Sequence, residues 1–120
     1  MKKVALVLVL LFAAAAVFAN PIQLGTFPVG RWLDPNYDAI WDFSSSNIRI
    51  LGTDGSVIYD FSTKTVENFR VFLDGVNPGI SFSCVESERS YRFVIQINTN
   101  LVMEIQRTGQ PQYSVNMRRQ

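Results

Sequence analysis

The chain has 120 residues, 48% of them hydrophobic, with 11 basic residues, 10 acidic residues and no histidine. A chain of this length is expected to form one domain. The missing histidine removes the commonest metal ligand and the only side chain that titrates near neutral pH without perturbation, so we expect no metal and no cofactor. The charges are scattered singly along the sequence, which argues against nucleic acid or an anionic membrane surface as a partner.

Residues 1–19 have the pattern of a secretory signal peptide. Lys2 and Lys3 give a short basic start, residues 4–17 form an unbroken apolar run, and Val17 and Ala19 place small or modest side chains at the two positions that signal peptidase inspects. The run is short for a membrane span, so an uncleaved anchor is the less favoured alternative. Cleavage would leave nine basic and ten acidic residues, a net charge of −1. The mature chain, residues 20–120, is therefore expected to be exported, either periplasmic or secreted, with no membrane span.

Beyond a lead-in at residues 20–28, apolar and polar residues alternate with a period of two, the pattern of half-buried β-strands. Turn sequences separate these runs, and Gly52-Thr53-Asp54-Gly55 is the strongest hairpin signal. The predicted strands are residues 30–33, 38–43, 48–50, 56–61, 69–73, 80–85, 91–97, 101–106 and 113–119. Short strands with short connections predict an all-β fold. We expect a single antiparallel up-and-down β-barrel of about eight or nine strands, with a two-sheet β-sandwich as the alternative.

The segment after the first predicted strand has the spacing that begins a calcium-binding loop. Residues 34–38 read Asp-Pro-Asn-Tyr-Asp, with oxygen-bearing side chains at the first, third and fifth positions. The sixth position is Ala39 rather than glycine, and the twelfth is Ser45 rather than glutamate. The segment is therefore interpreted as a turn between two strands.

Period-two counting assigns a set of large apolar and aromatic side chains to the barrel interior. The residues predicted to line it, and hence to bind a small apolar ligand, are Trp41, Tyr59, Phe82, Tyr91, Met103 and Tyr113. The alternative is a filled core, because eight strands leave an interior just wide enough for side chains or one small ligand. The single cysteine, Cys84, is interpreted as a small buried hydrophobe, since no histidine can act as its base. With no assembled nucleophile, base or metal site, the chain is not expected to be an enzyme.

Other apolar side chains fall on the predicted outer face of the strands. These are Ile40, Ile58, Phe72, Val85, Val94 and Val102. Scattered apolar residues are normal on a protein surface, but a cluster of them would form a patch for a protein partner or a dimer. With a flexible arm at residues 20–28, such a patch would suit a protein-binding module, such as an inhibitor or a subunit of a periplasmic complex. This is the alternative function.

A Gly-x-Trp step at the first strand and an inward arginine on the last strand resemble the lipocalin and fatty-acid-binding (calycin) plan, most closely small bacterial lipocalin-like domains. The matching residues are Gly30, Trp32 and Arg119. Arg119 is assigned inward because it shares a strand face with Val115 and Met117. The resemblance implies a barrel in which the arginine packs across the tryptophan and closes one end. It also implies a non-enzymatic protein that binds a small apolar ligand or acts as an envelope scaffold.

Overall fold

The computed structural model describes residues 20–96 and 100–120, and most of these residues are in β-strands. The strands are β1 (Gly30–Asp34), β2 (Ala39–Ser44), β3 (Asn47–Leu51), β4 (Val57–Asp60), β5 (Val66–Asp74), β6 (Asn77–Cys84), β7 (Arg89–Ile95), β8 (Asn100–Arg107) and β9 (Tyr113–Arg119). A short 3₁₀ helix, Phe61–Thr63, joins β4 to β5. In the described residues no helix is long and apolar enough to cross a bilayer. The predicted signal peptide and Ile97 lie outside the described residues.

The nine strands form one antiparallel sheet in the order β4-β3-β2-β1-β9-β8-β7-β6-β5. Each strand therefore pairs with the next in sequence, except that β4 does not pair with β5, while β1 pairs with β9. The sheet curls through 245° as a half-barrel. The predicted all-β, antiparallel, up-and-down architecture is confirmed, as a single curled sheet rather than the two-sheet sandwich given as the alternative.

The barrel stays open between β4 and β5. Because all neighbouring strands in the sheet are antiparallel and their number is odd, the two end strands run in the same direction. They cannot form an antiparallel hydrogen-bond ladder with each other, and the chain crosses between them through the 3₁₀ helix. The complete closure that would remove every strand edge is not reached, and Leu73 on β5 remains 67% exposed.

The lead-in before β1 packs into one end of the barrel. Ile22, Leu24 and Phe27 are almost fully buried. The N–H of Leu24 donates to the carbonyl of Ser45 over 3.0 Å, and the ring centroids of Phe27 and Phe43 lie 5.4 Å apart. The arm is thus a packed part of the core, and the expectation of a flexible arm is wrong. The free energy gained by burying its three apolar side chains exceeds the conformational entropy that a mobile segment would retain.

The same end of the barrel brings together the first and last strands. Trp32 is the Cα partner of Arg119, whose guanidinium carbon lies 5.6 Å from the centroid of the indole. Gly30 has a φ of +151°, and a Cβ at this position would lie 3.4 Å from Nη2 of Arg119. A side chain at residue 30 would therefore strain the backbone, and its Cβ would lie in contact with the guanidinium. The structure places the three residues of the Gly-x-Trp and arginine resemblance in mutual contact.

An aromatic cluster fills the middle of the barrel. Phe61 is fully buried, and its ring centroid lies 4.9 Å from Tyr59, 5.2 Å from Phe82 and 5.3 Å from Tyr91. The sequence pattern continued the fourth strand through Phe61, but β4 ends at Asp60. The Asp60 carboxylate accepts the main-chain N–H two residues later and caps the 3₁₀ helix. This cap turns the chain inward and carries the Phe61 ring into the barrel.

The sequence pattern also misplaced the ends of β5 and β6. β5 begins at Val66, three residues earlier than predicted, because a bulge at Asn68, with φ of +56°, shifts its register against β6. The loop predicted for residues 74–79 contracts to Gly75 and Val76, and Asn77 already pairs with the last residue of β5. Glycine at the first turn position, with φ of +64°, allows this two-residue connection.

Three of the six apolar residues predicted for the outer face lie together on one part of the sheet. Phe72, Gly79, Val94 and Val102 are successive cross-strand partners from β5 to β8. The Phe72 ring lies so close over Gly79 that an added Cβ would meet it at 2.6 Å, and Val94 is buried. The remaining predicted members, Ile40, Ile58 and Val85, lie on β2, on β4 and in the β6–β7 loop. They do not form one continuous patch with the first three.

Candidate ligand-binding site

The end of the barrel opposite the arm contains a cavity of about 240 Å³, here termed the mouth cavity. Its apolar lining consists of Ala39, Trp41, Ile50, Met103 and Ile105. Its polar lining consists of Asp34, Tyr37, Arg89, Arg107 and Tyr113. An apolar wall with a few converging polar groups is the usual character of a small-molecule site.

Three hairpin ends meet to form this cavity. Asp34 at the end of β1 is the Cα partner of Ala39 at the start of β2, and Ile105 on β8 is the partner of Tyr113 on β9. The third is the open end of the β7–β8 hairpin, where the start of β7 lies beside the end of β8. Ala39 stands where the inward face of the sheet otherwise carries large side chains, two residues before Trp41. Its small side chain leaves the space that the filled centre of the barrel lacks.

A buried carboxylate fixes the polar side of the mouth cavity. Asp34 is only 2% exposed, and the hydroxyl of Tyr113 donates to its Oδ2 over 2.9 Å and to its Oδ1 over 3.1 Å. The main-chain N–H of Asn36 also donates to Oδ1 over 2.9 Å, and the Asn36 side-chain amide donates to Oη of Tyr113 over 2.9 Å. The spacing that resembled a calcium loop is therefore an Asx turn, in which Asp34 is satisfied by protein donors.

Tyr113 is held as a neutral hydrogen-bond donor. Partial removal from water raises the pKa of Tyr113 to about 12, and the neighbouring carboxylate of Asp34 adds to the increase, although the hydrogen bond from Asn36 acts against it. At neutral pH the phenol is therefore protonated and donates to the carboxylate. The pair Asp34 and Tyr113 is a preorganised structural element of the site.

Two further side chains frame Tyr113. The ring centroid of Tyr37, which is 67% exposed, lies 5.4 Å from that of Tyr113 at an interplanar angle of 60°. At the end of β8, the guanidinium carbon of Arg107 lies 5.9 Å from the Tyr113 ring centroid. Nη2 of Arg107 donates to the carbonyl of Pro111 over 2.9 Å. The mouth is thus rimmed by an exposed aromatic ring and a positioned cation.

The six residues predicted to line a ligand site fall into two places. Three of them line the mouth cavity: Trp41, Met103 and Tyr113. The other three belong to the aromatic cluster around Phe61 and do not line the mouth cavity: Tyr59, Phe82 and Tyr91. The filled core that the sequence left as an alternative thus describes the aromatic cluster in the middle of the barrel, while the mouth cavity lies at one end.

Sequence reasoning missed Asp34, Arg89 and Arg107 as site residues. Asp34 had been assigned to a turn, and both arginines lay one or two residues outside the predicted strands. Extending the strands by those residues would have found the arginines, because Arg89 keeps the parity of Tyr91 and Arg107 keeps that of Ile105. Burial of Asp34 has no comparable signal, since aspartate is rarely buried unless paired.

The remaining candidate groups have local structural partners. Cys84 is buried, with its sulfur 3.5 Å from Oη of Tyr59 and 3.8 Å from Oε1 of Glu86. The Glu86 carboxylate accepts from the main chain and the hydroxyl of Thr65, and these hydrogen bonds hold the pKa of Glu86 below its usual value. Across residues 20–96 and 100–120, no group of three or more His, Cys, Asp or Glu side chains is placed to hold a metal ion.

No protein-family model, curated protein or solved structure matches the chain. The lipocalin-like resemblance therefore stays a prediction that rests on Gly30, Trp32 and Arg119.

Proposed function

We propose that this chain is an exported, non-enzymatic, lipocalin-like protein that binds a small apolar ligand in the mouth cavity. The observation that carries the proposal is that the mouth cavity is lined on one side by apolar side chains. The cavity of about 240 Å³ is lined by Trp41, Met103 and Ile105, whereas the barrel centre is filled by aromatic rings. An apolar group that enters this space leaves water and gains contact with side chains already in place.

The size of the cavity limits the ligand. Pockets for drug-sized ligands have volumes of roughly 300–1,000 Å³, so the mouth cavity suits a smaller molecule or one that projects into solvent. A ligand of about ten heavy atoms that gains roughly 0.6 kcal/mol per atom would bind with about 6 kcal/mol, a Kd of about 40 μM. We therefore expect micromolar affinity for a small apolar compound.

The polar groups of the mouth support a binding role rather than catalysis. The Asp34 carboxylate takes its hydrogen bonds from Tyr113 and the main chain of Asn36. Since the pKa of Tyr113 is raised rather than lowered, this phenol is a poor nucleophile and a poor acid at neutral pH. These groups are suited to orienting a ligand and shaping the cavity.

The proposal is tested with a variant that fills the cavity without removing any existing contact. The substitution Ala39→Phe projects a ring into the mouth cavity, and Ser114→Phe adds the same ring on the exposed outer face of β9 as a matched control. The probe is N-phenyl-1-naphthylamine, an uncharged compound whose fluorescence rises in apolar surroundings. Wild type and Ser114→Phe are expected to bind it with micromolar Kd, and Ala39→Phe is expected to bind at least tenfold more weakly.

Circular dichroism of each variant checks that the β-fold is kept. Two results would overturn the proposal. One is a wild-type protein that leaves the probe fluorescence unchanged at high micromolar protein concentration. The other is an Ala39→Phe variant that is folded and binds the probe as well as the wild type does.

A second candidate function is a protein-binding module, such as an inhibitor or a subunit of a periplasmic complex. The observation that favours it is the unpaired edge of β5, where Val71 is 38% exposed and Leu73 is 67% exposed. Unpaired edges with apolar side chains can accept a strand from a partner. Native mass spectrometry of the purified protein separates the two candidates, because a bound small molecule supports the first and a stoichiometric protein complex supports the second.

A further inference from the structure

Two arginines face each other at the mouth of the barrel. Arg89 at the start of β7 and Arg107 at the end of β8 are direct Cα partners, and both line the mouth cavity. Each lies two residues from an inward side chain, Tyr91 on β7 and Ile105 on β8, so both arginines belong to the inward face. Directly opposed residues in antiparallel strands have Cβ atoms about 4.5–5.5 Å apart. The lining of the cavity therefore includes two arginines at directly opposed positions of neighbouring strands.

This arrangement has no balancing carboxylate within the described residues. Three other arginines of the sheet form ion pairs, as Arg49 does with Asp42 over 2.8 Å. In residues 20–96 and 100–120, neither Arg89 nor Arg107 has a carboxylate oxygen within 4.0 Å. Asp34, the acidic residue of the cavity lining, takes its hydrogen bonds from neutral donors instead. With two arginines and one aspartate, the lining carries a net charge of +1.

Like charges directly opposite each other destabilise an antiparallel pair. The fold nevertheless places this pair beside an apolar wall, where an anion would neutralise it. Guanidinium groups suit such an anion, because their planar fork of N–H donors matches the oxygens of carboxylate, sulfonate or phosphate groups. Arg107 is already oriented by its hydrogen bonds to the carbonyl of Pro111, so it loses little conformational freedom on binding.

We infer that the ligand of the mouth cavity is an amphipathic anion. Its carboxylate, sulfonate or phosphate group lies between Arg89 and Arg107, and its apolar body lies against Trp41 and Met103. This inference rests on the proposed function, because it assigns a chemical class to the ligand of the same cavity. It adds that an anionic group attached to an apolar compound strengthens the binding of that compound.

The test compares two probes that share one apolar body. 8-Anilinonaphthalene-1-sulfonate and N-phenyl-1-naphthylamine differ by a single sulfonate, and both report binding by fluorescence. At low ionic strength the wild type is expected to bind the sulfonate about tenfold more tightly than the neutral probe. The double variant Arg89→Gln/Arg107→Gln is expected to lose this tenfold preference, so that its affinities for the two probes lie within about twofold of each other.

The control is Arg118→Gln, which removes the same charge from the outer face of β9, near the opposite end of the barrel. It is expected to leave the affinity for both probes unchanged. Equal affinities of the wild type for the two probes, or an equal loss for both in the double variant, would overturn the anion inference while leaving the proposed function standing. Failure of both probes to bind the wild type would overturn the proposed function and the inference together.

Discussion

The substitution Tyr113→Phe removes one hydroxyl from the mouth of the barrel and leaves the ring in place. That hydroxyl donates to both carboxylate oxygens of Asp34, over 2.9 and 3.1 Å, and Asp34 is only 2% exposed. In the variant, Oδ2 loses this protein donor, while Oδ1 keeps the main-chain N–H of Asn36. The expected result is a loss of stability caused by an under-satisfied buried charge.

The size of the loss follows from this geometry. Leaving a buried acceptor without its donor costs about 1–3 kcal/mol, and more when the acceptor is charged. Because one of the donors to Asp34 remains, we expect a loss of about 2 kcal/mol in the free energy of unfolding. For a domain of about 100 residues this corresponds to a decrease of roughly 10 °C in Tm.

The assay is urea denaturation followed by tryptophan fluorescence, with Tyr37→Phe as the matched control. Tyr37 lines the same cavity and contacts the Tyr113 ring, but it is 67% exposed. Removing its hydroxyl is therefore expected to change the free energy of unfolding by less than about 0.5 kcal/mol. If Tyr113→Phe is no less stable than Tyr37→Phe, then Asp34 does not depend on the phenol, and the account of a preorganised mouth is refuted.

Three further predictions concern the fold. Gly79→Ala should cost about 1–3 kcal/mol, since its Cβ would lie 2.6 Å from the Phe72 ring; unchanged urea stability would contradict this. Trp32→Ala should cost about 3–5 kcal/mol and Arg119→Met about 0.5–2 kcal/mol in the same assay; unchanged stability of Trp32→Ala would refute the role of Trp32 in closing this end of the barrel. The pKa of Tyr113 is raised to about 12 in the folded state, so its contribution, complete below pH 10, should be lost as the pH rises to 12. Thermal melts across this range should decline more steeply in wild type than in Tyr113→Phe.

The period-two pattern of the sequence was sufficient to predict the main architecture. Alternation assigned Trp41, Phe82 and Met103 to the inward face, and all three are buried there. This works because one face of an antiparallel sheet is buried, and a slip of one residue would expose every inward side chain. The pairing of β1 with β9 came instead from the resemblance carried by Trp32 and Arg119.

The alternation of apolar and polar residues could not show that the barrel stays open between β4 and β5. In a closed ring of nine strands, at least one pair of neighbours cannot be antiparallel, because the number of strands is odd. The strand count alone therefore requires one break in the antiparallel pairing. Its position is set by Asp60, whose side chain caps the 3₁₀ helix and directs Phe61 into the barrel. A capping aspartate at the end of a strand looks the same in sequence as any polar turn residue, so the pattern continued the strand through Phe61.

The site itself was only partly predictable for a related reason. The inward face indicated Trp41, Met103 and Tyr113 as lining residues, but alternation alone does not distinguish a filled centre from an open end. That distinction depends on Ala39, whose small side chain leaves space, and on Phe61, which occupies the centre. Both effects arise from three-dimensional packing between strands that are distant in sequence.

The claim that the mouth cavity is the binding site is tested most directly by ¹H–¹⁵N NMR spectra of the labelled protein titrated with N-phenyl-1-naphthylamine. The account predicts amide shift changes concentrated around Ala39 and around the β8–β9 pair at Ile105 and Tyr113, with residues 20–28 unaffected. Changes centred on the arm at the opposite end, or along the free edge of β5, would contradict it.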